Sequence, residues 1–235
     1  MRMSAVIVAI DGPSGAGKST LAKRLARELA FTYLDTGAMY RALALKVLRE
    51  AVDVADETAL ARLVRQTEID LQENGGRLKV LLDGVDVADL IRTPEVSQMA
   101  SKVSTRKIVR QRMMELQRAA AVKGHIVAEG RDIGTVIFPG AEVKVYLDAS
   151  VTERARRRFE ELRASGRNVS MEETVNELME RDRRDSERDL APLCRAADAV
   201  AVDSSALTAD AVAERVMHLI RLQLEKNSVH QEDRS

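Results

Sequence analysis

Near the amino terminus, Gly12-Pro13-Ser14-Gly15-Ala16-Gly17-Lys18-Ser19 matches G-x-x-x-x-G-K-[S/T] and constrains this chain more than any other segment. Before it, Val6 to Ile10 is a short β-branched apolar run; after it, Leu21, Leu25 and Leu29 recur at the helical period. Strand, glycine-rich turn and helix in that order surround an anion with backbone N–H groups at a helix N-terminus that carries partial positive charge. In such a loop Lys18 reaches the β and γ phosphates, and the Ser19 hydroxyl is a candidate ligand for Mg²⁺. Gly12, Pro13, Ser14, Gly15, Ala16, Gly17, Lys18, Ser19 and Thr20 form the candidate nucleotide-binding set.

The rest of the chain continues an alternating pattern. Phe31 to Leu34 is a second strand candidate, followed by Asp35-Thr36-Gly37 and a helix over Met39 to Leu48 with Leu43 and Val47 four apart. Alternation of this kind implies a parallel sheet covered by helices. Between Glu68 and Asp89 the period changes to two: Ile69 and Leu71 alternate, Asn74-Gly75-Gly76 supplies a turn, and Leu78, Val80 and Leu82 alternate before Asp83-Gly84, Val85 and Val87. A three-stranded antiparallel insert is expected there. Thr93-Pro94-Glu95 then opens a long helix whose apolar stripe is Val109, Met113, Leu116 and Ala120. Ile126 to Ala128, Val143 to Leu147 and Ala199 to Val202 are further strands, and Ala209 to Leu224 is a closing helix with Val212, Val216, Leu219 and Gln223 on one side.

Composition narrows the function. The 235 residues suit one domain with an insertion, and 37 basic side chains balance 37 acidic ones. With Trp absent and only three Tyr and three Phe, a broad electrostatic or stacking grip on nucleic acid is disfavoured, so any anion site is local. The single cysteine, Cys194, has no internal disulfide partner, and His125, His218 and His230 lack metal-ligand spacing. The longest apolar run, Ala5 to Ile10, is shorter than a membrane span or a secretory signal core, which points to a cytoplasmic protein.

Open parallel sheets bind ligands outside the carboxyl ends of their strands. Two charged segments are expected at that edge: Asp35-Thr36-Gly37 with Arg41 one turn on, and Glu129-Gly130-Arg131-Asp132 where a buried strand stops. The same residue types also serve as turn and cap formers. Two arginine-rich helical segments, one with Arg154, Arg156, Arg157, Arg158 and Arg163 and one with Arg181, Arg183, Arg184 and Arg188, flank the flexible turn Ala164-Ser165-Gly166-Arg167-Asn168. They read either as solvated helical faces or as a basic hairpin that closes over phosphates as a lid.

Taken in order, these segments, with Thr93-Pro94-Glu95-Val96, Gly130-Arg131-Asp132-Ile133-Gly134-Thr135-Val136, Arg181-Asp182 with Asp185, and Ala191-Pro192-Leu193, resemble the bacterial cytidylate kinases, within the P-loop nucleoside monophosphate kinases. The resemblance implies an α/β P-loop NTPase fold: a five-stranded parallel sheet flanked by helices, a small antiparallel β insert and a helical lid. Along the chain this gives core 1–66, insert 67–92, core 93–152, lid and following helix 153–190, core 191–226 and a flexible tail 227–235. It also implies ATP with Mg²⁺ as donor, CMP or dCMP as acceptor, and a monomer.

Cytosine presents an amino donor and two acceptors, so Asp132 would face N4 while Arg110 and Ser101 supply donors. By the same resemblance Arg41 and Arg131 would hold the CMP phosphate, with Asp35, Thr36 and Gly37 in that acceptor site. Asp185 and Arg181 would hold the sugar. Arg188 and the lid residues Arg154, Arg157 and Arg158 would stabilise the moving phosphoryl group. Ser19 stands where some members carry Gly, which makes its metal role less fixed than the role of Lys18. Other acceptors (UMP, AMP or a small molecule such as shikimate) and a nucleotide-dependent switch remain open readings.

Overall fold

A computed structural model of the chain describes residues 5–74, 77–122 and 124–232, with side chains at 73–74 and 226–232 left aside. β1 (Ile7–Asp11), α1 (Lys18–Leu29), β2 (Thr32–Asp35) and α2 (Thr36–Arg49) follow in the expected order. Then come α3 (Glu57–Arg65), β3 (Ile69–Asn74), β4 (Arg77–Leu82) and β5 (Val85–Asp86), a 3₁₀ turn at Leu90–Arg92, α4 (Pro94–Val103) and α5 (Lys107–Ala121). The chain continues through β6 (Ile126–Gly130), a π-helical turn at Ile133–Ile137, β7 (Val143–Asp148), α6 (Val151–Ala164), α7 (Met171–Glu187), β8 (Val200–Asp203) and α8 (Ala209–Glu232).

The chain divides into two compact units. The first comprises Met1–Tyr33, Gly124–Glu187 and Ala191–Ser235; the second comprises Leu34–Lys123 and Arg188–Leu190. The five-stranded sheet has the order β2-β6-β1-β7-β8, and β1 pairs in parallel with both β6 and β7. As the central strand, β1 is covered on both faces, which is why it is almost wholly apolar: Val8, Ala9 and Ile10 are all buried. Helices α1 and α8 pack together, with α1 against β6 and α8 against β7. The buried face of α8 is Val212, Ala213, Val216, Met217 and Ile220, so Leu219 and Gln223 lie at its border rather than on it. The helix backbone also runs past Leu224 to Glu232; the remainder of the proposed tail, 233–235, lies outside the described residues.

In the second unit, α2 packs on α4, on the 3₁₀ turn and on the three-stranded antiparallel sheet β3-β4-β5. The expected alternation is realised in register, with Ile69 opposite Leu82 and Leu71 opposite Val80. Of the turn Asn74-Gly75-Gly76, positions 75 and 76 lie outside the described residues. Helix α2 starts three residues earlier than its apolar pattern suggests because the Asp35 carboxylate caps it, accepting from the Ala38 N–H at 2.7 Å.

Two sequence readings need correction. The segment after Thr93 is two helices, not one: the Ser104 and Thr105 hydroxyls donate to the Ser101 and Lys102 carbonyls at 2.9 and 2.8 Å, and the backbone turns extended at Arg106. The inward face of α5 is Val109, Arg110, Met113, Gln117 and Ala121, displacing Leu116 and Ala120 from the stripe. Helix α3 is an addition to the expected elements; Asp56 caps it, and Leu60, Leu63 and Val64 form its buried face.

Ile10, in the central strand, is fully buried. Ile10→Ala should destabilise the fold by about 2–5 kcal/mol, read as a lower urea midpoint.

Candidate active site

Helix α1 begins at Lys18 with Gly17 in the N-cap position, no side-chain cap and no acidic residue in its first turn. Its leading N–H groups and the positive end of its dipole are thus open to an anion; α2, α3, α4 and α6 are closed by side-chain caps, while α5, which follows Arg106, also lacks one. The loop entering it depends on Gly12, at φ 148°, where an added Cβ would lie 1.9 Å from the Leu147 carbonyl oxygen on β7. No side chain fits there. Lys18 is buried, and its Nζ donates to the Pro13 carbonyl at 2.6 Å, so its ammonium curls back over the loop. Ser19 and Thr20 face outward.

Around Lys18 the first unit gathers charges of both signs. At the end of β6, Glu129 is buried and accepts from the Tyr33 hydroxyl at 2.6 Å. Arg131 donates from Nε to Asp185 Oδ2 at 2.9 Å and from Nη1 to the Gly130 carbonyl at 3.3 Å; the Arg181 guanidinium stands 4.0 Å from the same Asp185 oxygen. Burial is the largest influence on Lys18 and pulls its pKa well below the usual lysine value; Arg131 and Arg181 push the same way, against Glu129 and Asp185. Burial would also lower Arg131, but the Asp185 carboxylate, helped by Glu129 and Asp182, outweighs it and raises that pKa.

Two hairpin arginines are bound into the same unit. Arg154 is buried, donating from Nε to the Ala149 carbonyl at 2.9 Å and from Nη1 to Ser14 O at 3.1 Å and Asp182 at 2.5 Å. Arg157 donates to Glu153 at 2.8 Å, to both oxygens of Ser204 at 2.7 and 3.1 Å, and to Ala16 O at 3.4 Å. Arg158 instead pairs with Glu161 on its own helix. The Leu193 N–H returns to the Asp185 carbonyl at 2.7 Å, which gives the Ala191-Pro192-Leu193 segment a structural role.

Asp132 is buried in the first unit, directly before the π-helical turn. In the second unit, Asp35 pairs with Arg41 at 3.3 Å across Gly37, where a Cβ would meet Arg41 Nη1 at 3.0 Å and Asp35 Oδ1 at 3.3 Å. Thr36, Ser101 on α4 and Arg110 on α5 are buried there as well, and Arg188, half-buried, follows α7. Among the described residues no group of three or more His, Cys, Asp or Glu is arranged to hold a metal, and no helix is long and apolar enough to cross a membrane.

A family model described as cytidylate kinase matches residues 8–222. The cytidylate kinase of Pelotomaculum thermopropionicum is 52% identical over 211 residues, covering 89% of this chain and 93% of that protein. The cytidylate kinase of Citrifermentans bemidjiense is 48% identical over 224 residues, covering 95% and 96%. The chain belongs to the cytidylate kinase family. Its reaction is therefore phosphoryl transfer from ATP to CMP or dCMP. In fold alone, it is similar to an uncharacterized protein from Eubacterium ventriosum, at TM-score 0.50 and 13% identity over 92% of this chain and 98% of the other.

The glycine-rich loop is framed by residues whose partners the sequence did not indicate, namely Asp182, Ser204, Tyr33, Glu129 and Asp11. Asp182 and Glu129 stand inside recognisable motifs, but their partners lie far away along the chain. Ser204, whose hydroxyl donates to Ala16 O or Asp148 O at 3.1 and 3.0 Å, carries no local signal beyond its place after a strand.

Asp11 accepts from the Ile133 and Gly134 N–H groups at 2.8 and 2.7 Å. Burial, the largest influence, still raises its pKa from 3.8 to about 6, with Asp132 adding to the rise and both N–H groups and Lys18 opposing it. The native state therefore keeps this proton to higher pH than the unfolded chain. Between about pH 4 and pH 6 Asp11 takes away up to about 3 kcal/mol of stability as pH rises. In urea unfolding across that window, Asp11→Asn should lack this downward slope, and identical slopes in both proteins would refute the assignment.

Proposed function

We propose that Lys18 and Arg131, beside the uncapped start of α1 and with the buried carboxylates Asp185 and Glu129 near them, lie at the phosphoryl-transfer centre of the enzyme. The observation that carries this reading is the uncapped start of α1 with the Lys18 ammonium folded back on the Pro13 carbonyl at 2.6 Å, where a donor polyphosphate would meet both unsatisfied N–H groups and a cation. In the proposed assignment Gly12 to Thr20 wrap the ATP phosphates, and Lys18 follows the β and γ groups. Mg²⁺ fits the chemistry on offer: a hard cation that keeps several waters and binds mainly through phosphates needs little more from the protein than an outward-facing hydroxyl such as that of Ser19. When bound, it would neutralise charge on the transferring group.

On the acceptor side, Arg131 and Arg41 are assigned to the CMP phosphate, with Asp35 orienting Arg41 at 3.3 Å and Thr36 and Gly37 completing that turn. Asp185 and Arg181 are assigned to the sugar, and Asp132, Ser101 and Arg110 to the base. The nucleophile is an oxygen of the CMP phosphate that is already ionised, so no general base is required. Catalysis is then positioning and charge stabilisation for in-line transfer.

Arg154 and Arg157, held on the Ser14 and Ala16 carbonyls, together with Arg158 and Arg188, supply positive charge to the transition state. Residues 153–190 act as a lid whose closure excludes water and suppresses ATP hydrolysis. The enzyme works as a cytoplasmic monomer without nucleic-acid partners, in keeping with its zero formal net charge.

Two substitutions test these roles. Lys18→Ala should reduce kcat by at least about a hundredfold, as expected for losing a preorganised charge donor, and near-normal CMP phosphorylation in a coupled ADP-release assay would remove Lys18 from the chemistry. A mispaired buried polar group costs about 1–3 kcal/mol, so Asp132→Asn should narrow the ratio of kcat/KM for CMP over UMP; an unchanged ratio would take Asp132 out of base selection.

A further inference from the structure

Asp11, the last residue of β1, lies in register with Gly130 of β6 and Tyr146 of β7, yet its carboxylate serves neither strand. Both of its oxygens are spent on one feature, the start of the π-helical turn Ile133–Ile137: Oδ1 accepts from the Ile133 N–H at 2.8 Å and Oδ2 from the Gly134 N–H at 2.7 Å. The leading N–H groups of any helical turn lack partners within it, and a buried carboxylate satisfies two of them with charge-assisted bonds. Farther along, the Val136 and Ile137 N–H groups donate to the Asp132 carbonyl at 2.9 and 3.1 Å. Lys144 closes the other side: its aliphatic stem lies against Gly134, and its ammonium donates to the Pro139 carbonyl at 2.5 Å. Asp132 is therefore suspended between the end of β6 and a turn whose first two N–H groups are held by Asp11.

We propose that Asp11 is a positioning residue for nucleobase selection, its buried carboxylate holding the Ile133 and Gly134 N–H groups and thereby setting the backbone from which Asp132 addresses the base. This inference rests on the assignment of Asp132 to the base. Asparagine at position 11 keeps one acceptor but turns an NH₂ toward an N–H, so one of the two bonds is lost and the turn is released on one side. The competing explanation is that Asp11, as the neighbour of Gly12, merely steadies the phosphate loop. That role would act on ATP, whereas positioning of Asp132 acts on the base.

The test compares steady-state kinetics for CMP, UMP and ATP in the full-length wild-type enzyme and in Asp11→Asn, Gly134→Ala and Asp132→Asn, with urea unfolding as a folding control. Gly134→Ala leaves the carboxylate intact but places a Cβ 3.1 Å from Lys144 Cδ and 3.4 Å from Asp11 Oδ2, crowding the same clamp from the opposite side. Both clamp variants should raise KM for CMP by about tenfold and narrow the CMP-to-UMP ratio of kcat/KM by at least about threefold, with KM for ATP within about twofold of wild type. Equal losses for CMP and UMP, or a rise in KM for ATP matching that for CMP, would overturn the proposal. If Asp11→Asn fails to fold, Gly134→Ala decides alone. A narrowed ratio in Asp132→Asn with none in the clamp variants defeats the positioning role only, whereas an unchanged ratio in Asp132→Asn defeats the base assignment and the inference with it.

Discussion

A buried ammonium that feels a partly buried guanidinium at the rim of a parallel sheet is repelled by it and has lost its hydration, and nearby carboxylates offset those costs. Lys18 and Arg131 are in that position here, with Glu129 and Asp185 as the compensating charges. Removing either acid would strand a cation, which is far more costly than losing an exposed ion pair. The compensation is incomplete around Lys18, whose pKa stays below the usual lysine value chiefly because of burial. Under the proposed assignment an arriving phosphate would supply negative charge there, and the preorganised cations would stabilise the transition state.

Holding such a network demands a rigid frame, and the frame consists of loops tied to one another through backbone carbonyls and N–H groups. Arg154 and Arg157 reach the Ser14 and Ala16 carbonyls from α6, Ser204 reaches toward Ala16 O from the end of β8, and Asp11 reaches across to the π-helical turn after β6. Gly12 lets the phosphate loop press against Leu147 of β7. Each tie joins segments that leave the carboxyl ends of different strands, so the sheet order places the chemistry as much as the motifs do.

Much of this was legible in the sequence because the signals are local. The glycine-rich loop lies between a β-branched run and a helical repeat, and the antiparallel insert announces itself by alternation at Ile69, Leu71, Val80 and Leu82. The failures have a common cause: periodicity shows that a helix has an apolar side, but its neighbours decide which side is used and where the helix stops. Leu116 and Ala120 fit the period of α5 as well as Gln117 and Ala121 do, yet Gln117 is the one almost fully buried. The break between α4 and α5 comes from hydroxyl-to-carbonyl bonds at Ser104 and Thr105, which a hydrophobic pattern does not register.

The residue types and spacings of the chain alone determined the phosphate loop, the alternating α/β architecture, the antiparallel insert and the arginine-rich hairpin, because each is encoded within a few consecutive turns of chain. Only the tertiary structure decided which polar groups meet. Arg131 and Asp185 are 54 positions apart, Arg154 and Ser14 are 140, and Asp11 and Ile133 are 122. Contacts over such separations leave no periodic trace, since they arise only when parallel strands bring their carboxyl ends to one edge and burial forces each charge there to find a partner.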